Sequence, residues 1–185
     1  MKNSLKVVFL GIIGFSLLVF LTIPDRKIEN SSLNLENLPK TFELVNKNIS
    51  IEKNDIFKKL PIYLVVLNHD SLAVFKDFEN NLDKNIVFIA NISNTPWLIK
   101  KSVVEGEIEN MFKESKSIVI NDSKGNWIES LALNDNSMNS YFIYKIELDN
   151  SISFISKNSV KMGALQDGIS EEEIKEELEK FRKIF

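Results

Sequence analysis

Three kinds of hydrophobic pattern succeed one another along this chain. Val7 to Ile23, VVFLGIIGFSLLVFLTI, is a run without a single charge. Beyond it, short alternating or continuous apolar stretches read as strands, and spaced apolar positions read as helices. TFELV (Thr41–Val45) and ISIE (Ile49–Glu52) alternate on either side of Asn46-Lys47-Asn48, which predicts a pair of extended segments or a hairpin. Asp55 to Leu60 reads as a short helical turn before Pro61. Ile62–Leu67 and Ile86–Ala90 are continuous and rich in β-branched residues, as strands buried on both faces are. Between them, Leu72, Phe75, Phe78 or Glu79, and Leu82 form one stripe, predicting a helix from about Ser71 capped by Asp70 or Ser71. Strand, helix and strand at this spacing make a βαβ unit, so the two strands should run parallel.

The second half continues in the same manner. Thr95-Pro96 has the form of a helix start, and Trp97, Val104, Ile108 and Met111 or Phe112 follow at helical spacing. SIVIND (Ser117–Asp122) predicts a third strand, and Asp122-Ser-Lys-Gly125 a hairpin turn into NWIESLAL. YFIYKIELDNSISFIS (Tyr141–Ser156) alternates about Asp149-Asn150 and predicts a β-hairpin. SEEEIKEELEKFRKIF opens with Ser170 and Glu173 as a capping box, with acids early and bases late, and Ile174, Leu178, Phe181 and Phe185 on one face. The order is strand, helix, strand, helix, strand, turn, hairpin, helix.

The amino-terminal run separates three segments: 1–24 as an anchor, 25–38 as a polar tether, and 39–185 as the folded domain. Residues 7–23 would reach about 25 Å as a helix, enough to span a hydrocarbon core of about 30 Å by a small margin of thinning. Lys2 and Lys6 precede the run, and FLTIPDRK after it lacks a pair of small residues suited to cleavage. An uncleaved signal anchor in the inner membrane, with the domain in the periplasm, is therefore favoured over a cleaved signal peptide that would leave the domain soluble there.

Composition narrows the chemistry. A net charge of −3 with scattered bases offers no field for nucleic acid. The absence of cysteine excludes disulfides, thiolate metal sites and thiol redox work. One histidine, His69, cannot build a multi-histidine metal site, and no metal or cofactor is assigned. His69, Asp70 and Ser71 contain the residue types of a nucleophilic triad. Adjacent side chains after a strand diverge, however, and helix capping accounts for Ser71, so the turn reads as polar and solvent-facing, with no catalytic residue. Asp122–Gly125 lacks the spaced acids of a calcium loop. Trp97 and Trp127 read as core residues, on a helix and a strand respectively.

The element order resembles that of thioredoxin-like proteins. Three stretches are more particular: IANISNTPWLIKKSVVE (Ile89–Glu105), SIVINDSKGNWIESLAL (Ser117–Leu133), and ISFISKNSVKMGALQDGISEEEIKEELEKF (Ile152–Phe181) with its Gly163-Ala164-Leu165. They resemble the YtfJ-like family of exported thioredoxin-fold proteins over roughly Pro39 to Phe185. The chain departs from that family at Ser93-Asn94-Thr95-Pro96, where acids are usual, and inserts residues between Val160 and Ser170. The resemblance implies an α/β thioredoxin-like three-layer sandwich, a central mixed sheet flanked by helices, without a redox pair. Where such a fold carries cysteines this chain has Asn68, His69, Asp70 and Ser71, and Asn139-Ser140 stand where a proline would precede the hairpin. The expectation is a redox-inactive module that binds a periplasmic or inner-membrane protein, using Asn68, His69, Asp70, Ser71, Asn94 and Pro96 at the carboxyl ends of the parallel strands. An envelope enzyme with a non-thiol site at 68–71, or a structural subunit of an envelope complex, are its alternatives.

Overall fold

The computed structural model describes residues 33–45, 49–93 and 105–185. The predicted anchor, most of the tether and the Thr95-Pro96 helix start lie outside the described residues. Within them a mixed sheet of seven strands runs in the order β2-β1-β5-β4-β3-β6-β7. Its strands are β1 (Thr41–Leu44), β2 (Ser50–Glu52), β3 (Ile62–Leu67), β4 (Ile86–Ala90), β5 (Ile118–Asn121), β6 (Ser140–Ile146) and β7 (Ile152–Ser159). The helices are α1 (Lys53–Ile56), α2 (His69–Phe75), α3 (Glu105–Met111), α4 (Asn126–Ser130) and α5 (Glu171–Arg182).

β3 and β4 are neighbours and parallel, with Leu64 opposite Val87 and Val66 opposite Ile89. The βαβ expectation is borne out, with both strands at the predicted bounds. β5 extends the parallel set beside β4. β1 and β2 form the expected antiparallel pair, and β1 joins β5 antiparallel. β6 lies antiparallel to β3 on the other side, and the β6–β7 hairpin closes that edge. In this hairpin Ile143 pairs with Ser156 but Tyr144 with Phe154, so Ile155 is an extra residue in a bulge.

Alternation along the central strands divides their side chains between two cores. Val65, Leu67, Phe88, Tyr141 and Ile143 face Leu72 and Phe75 of α2 and Leu178 and Phe181 of α5. Leu64, Val66, Val87, Ile89, Phe142 and Ile146 face Trp127 and Ile128 of α4, with Phe42 and Phe57. Burial on both faces explains the continuous apolar runs of β3 and β4, since neither face has water to meet. The α5 capping box forms as predicted: Ser170 Oγ accepts from Glu173 N, and Glu173 accepts from Ser170 N.

Three local expectations are corrected. α2 begins at His69, not Ser71, with Asn68 in the cap position, and it ends at Phe75, before Phe78 and Leu82. Asp122–Gly125 is not a hairpin turn but a strand-to-helix connection. Trp127 accordingly lies on the short helix α4 instead of a strand, although it is buried in the core as expected. Among the described residues no helix is long and apolar enough to cross a membrane.

Candidate functional site

β3, β4 and β5 run parallel, so their carboxyl ends lie on one side of the sheet, and each is followed by a buried polar residue: Asn68, Asn91 and Asp122. A buried polar group without a partner costs free energy, so each must find bonds inside the protein. Asn68 Nδ2 donates to the Ser137 carbonyl at 2.7 Å, and its Oδ1 accepts from Asn91 Nδ2 at 2.8 Å. Asn91 Oδ1 in turn accepts from Ser93 Oγ at 2.7 Å. The Asn68 carbonyl accepts from Ser71 Oγ at 2.7 Å, and its N–H donates to the Ser140 carbonyl. These bonds fasten the β3–α2 turn to the segment that leads into β6.

Among the polar residues of this turn, Asp70 makes the longest-range connection. Only 2% exposed, it accepts from Gly163 N at 2.8 Å through Oδ2 and from Leu165 N at 3.4 Å through Oδ1. Its own N–H donates to the Met138 carbonyl at 2.9 Å. Gly163 holds φ at +77°, a region that disfavours side chains, and a Cβ there would collide with the Asp167 carboxylate. The Gly163-Ala164-Leu165 segment thus serves as a pair of main-chain donors to a buried carboxylate.

The third strand end is closed by capping. Gly125, at the cap of α4, has no side chain, and Asp122 does its work: Oδ1 accepts from Trp127 N at 3.1 Å and Oδ2 from Ile128 N at 3.0 Å. Burial pushes the Asp122 carboxyl up from its ordinary value, outweighing those bonds, which act in the opposite direction.

Of the predicted site residues, Asn68, Asp70 and Ser71 are therefore brought together but turned inward, correcting the picture of a solvent-facing turn. Only His69 keeps exposed surface, 20% of its side chain, with Nδ1 at 3.3 Å from Asp70 Oδ1. The Ser71 hydroxyl bonds the Asn68 and Ser140 carbonyls, so it makes no nucleophile–base pair with His69. Asn94 and Pro96 lie outside the described residues, as does Trp97. Sequence reasoning missed Asn91, Ser137, Met138, Gly163 and Leu165. Most of them act through main-chain atoms, which leave no residue-type signature; the Gly-Ala-Leu tripeptide was visible only as a likeness.

No family model, curated protein or solved structure matches this chain. Among the described residues no group of three or more histidine, aspartate or glutamate side chains is placed to hold a metal ion. A cleft of about 850 Å³ lies at the opposite ends of the parallel strands, by Ile62, Ile86 and Ile118, and mixes Lys59, Lys84 and Lys116 with Glu79 and Glu114.

The loop that receives Asn68 is itself held by a carboxylate. Asp135 accepts from Lys157 Nζ and from the hydroxyl and N–H of Ser137. The Lys157 bond above all, then those from Ser137, hold its carboxyl down at about 2, below the ordinary 3.8. A carboxylate with a depressed folded value contributes stability above its unfolded value, and this is lost as pH falls through the folded one. Urea midpoints of the native chain should fall between pH 3.8 and about 2, and Asp135→Asn should flatten that limb. Glu173, held at about 2 by Ser170 and Lys161, titrates in the same range, so the flattening should be partial. Identical acid limbs for the two proteins would refute the assignment.

Proposed function

We propose that this chain is a redox-inactive thioredoxin-like module, related to the YtfJ-like family and held by residues 7–23 on the periplasmic face of the inner membrane. It binds an extended segment of a periplasmic or inner-membrane protein. The strand order β5-β4-β3-β6-β7, with parallel β3 and β4 and an antiparallel final hairpin, supports the fold reading. Absence of cysteine removes the thiol reaction of that fold, and the inward-turned 68–71 segment supports a role without chemistry there.

The binding role is carried by one observation: the outer edge of β7 already takes up backbone from elsewhere. Ile152 N donates to the Leu33 carbonyl at 2.9 Å, Leu35 N donates to the Asn150 carbonyl, and Asn34 bridges Ser151 antiparallel. From there to Ser159 this edge has no strand partner among the described residues, and it displays Phe154 and Ile155. A long edge strand of low charge favours addition of a further strand, through main-chain bonds and side-chain contacts.

A photo-crosslinking residue at position 154 of the full chain, activated in intact envelopes, should give one discrete adduct, and the same residue at exposed Glu176 of α5 none. Phe154→Lys with Ile155→Lys should lower adduct yield several-fold when the crosslinker is placed at Ser156, because edge charges oppose pairing. Equal adducts from positions 154 and 176, or yields unmoved by the lysines, would overturn the proposal.

A further inference from the structure

Two methionines flank the β3–α2 turn on the outside. Met138 and Met162 expose 53% and 77% of their surface. Both are tied to Asp70 through the main chain: the Met138 carbonyl accepts from Asp70 N, and the residue after Met162, Gly163, donates to Asp70 Oδ2. The residue before Asp70 is His69, the one histidine of the chain. The backbones of one imidazole and two thioether residues are thus gathered about a single carboxylate, from positions far apart in sequence.

The histidine is arranged as a metal ligand would be. Its Nδ1 faces Asp70 Oδ1 at 3.3 Å, while Nε2 has no bonding partner among the described residues. A carboxylate on one ring nitrogen favours the proton there and leaves the other nitrogen's lone pair free, the outer-shell arrangement of metal-binding histidines. Asp70 is kept in place by Gly163 N and Leu165 N, so the orienting group is itself rigid. The nearest base in the Met162 segment, Lys161, is engaged by Glu173 and so is largely neutralised.

The donor types decide the ion. Thioethers are soft and uncharged, and with one imidazole they suit a cuprous ion, whereas zinc, calcium and magnesium want thiolates, more imidazoles or oxygen ligands. Unbranched methionine side chains adapt readily to a ligand's position. We infer that His69 Nε2 and the sulfurs of Met138 and Met162 form a surface site for one Cu(I) ion, with Asp70 as the carboxylate that orients the imidazole. This inference stands apart from the β7-edge reading and does not depend on it.

The test is an anaerobic titration of the full chain, in detergent, with Cu(I) against the chelator bicinchoninate. The chain should withdraw one equivalent of copper, and X-ray absorption should show both sulfur and nitrogen neighbours. Met138→Leu and Met162→Leu should each weaken binding by about tenfold or more, and His69→Gln similarly. Leucine at these exposed positions leaves the fold in place, which far-UV circular dichroism checks. Failure to compete with the chelator would overturn the inference, as would undiminished binding by the Met138→Leu, Met162→Leu double variant. Zn(II) binding as tightly as Cu(I) would also overturn it, because soft donors would not produce that result.

Discussion

Replacing Asp70 with alanine is expected to lower the unfolding free energy by about 3 kcal/mol. The native carboxylate accepts from Gly163 N and Leu165 N in a buried setting. Bonds to a charged acceptor are worth more than neutral ones, and removing the acceptor leaves two amide donors facing a cavity. The loss should be local as well as global, because these bonds join segments 93 and 95 residues apart. Amide hydrogen exchange should therefore quicken at Gly163 and Leu165 beyond what the lowered stability alone produces. Asp70→Asn keeps an acceptor oxygen and should cost distinctly less. Urea unfolding followed by tryptophan fluorescence, to which buried Trp127 contributes, measures both variants. A loss below about 1 kcal/mol for Asp70→Ala would show that solvent can satisfy those donors and that the turn is not a fastening point.

Phe181→Ala should cost about 3–5 kcal/mol, the range for deleting a buried aromatic side chain. Phe181 is fully buried at the centre of an aromatic cluster, with ring centroids 4.9 Å from Phe75, 5.4 Å from Phe78, 6.0 Å from Tyr141 and 5.1 Å from Phe185. These neighbours belong to α2, the turn after it, β6 and the carboxyl terminus, so no single movement can fill the cavity. α5 should retain its capped first turn yet lose much of its hold on the sheet. Its amides should then exchange ahead of those of β3 and β4. Phe181→Leu, which leaves a smaller void, should fall between the alanine variant and the native chain. Equal exchange rates in α5 and the central strands of Phe181→Ala would contradict this account.

The two substitutions act on different connections. Asp70 holds the 163–165 segment by hydrogen bonds, and Phe181 holds α5 by packing. Their rigid contexts also bear on the two proposals, since the copper site needs Asp70 fixed while the β7 edge needs neither residue.

Much of the architecture was legible because it arises from short-range causes. The bounds of β3 and β4 follow from runs of apolar, β-branched residues bordered by Pro61, Asn68, Asn85 and Asn91. α5 follows from its own cap, dipole and apolar stripe, and the final hairpin from alternation about Asp149-Asn150. α4 was not legible. Its five residues give too short a window for helical period, and the side chain that caps it, Asp122, stands before the glycine at the cap position.

By itself, the sequence determined the mixed α/β class, the parallel β3–β4 pairing and the exclusion of thiol chemistry, because strand runs and helix stripes are local patterns and the absence of cysteine is read directly from the residues. Only the tertiary structure decided that Asn68, Asp70 and Ser71 face inward and that His69 is left outside with Met138 and Met162 beside the same turn. The partners responsible are main-chain amides and carbonyls, identical at every residue and distant along the chain, and folding alone brings them to the carboxylate that needs them.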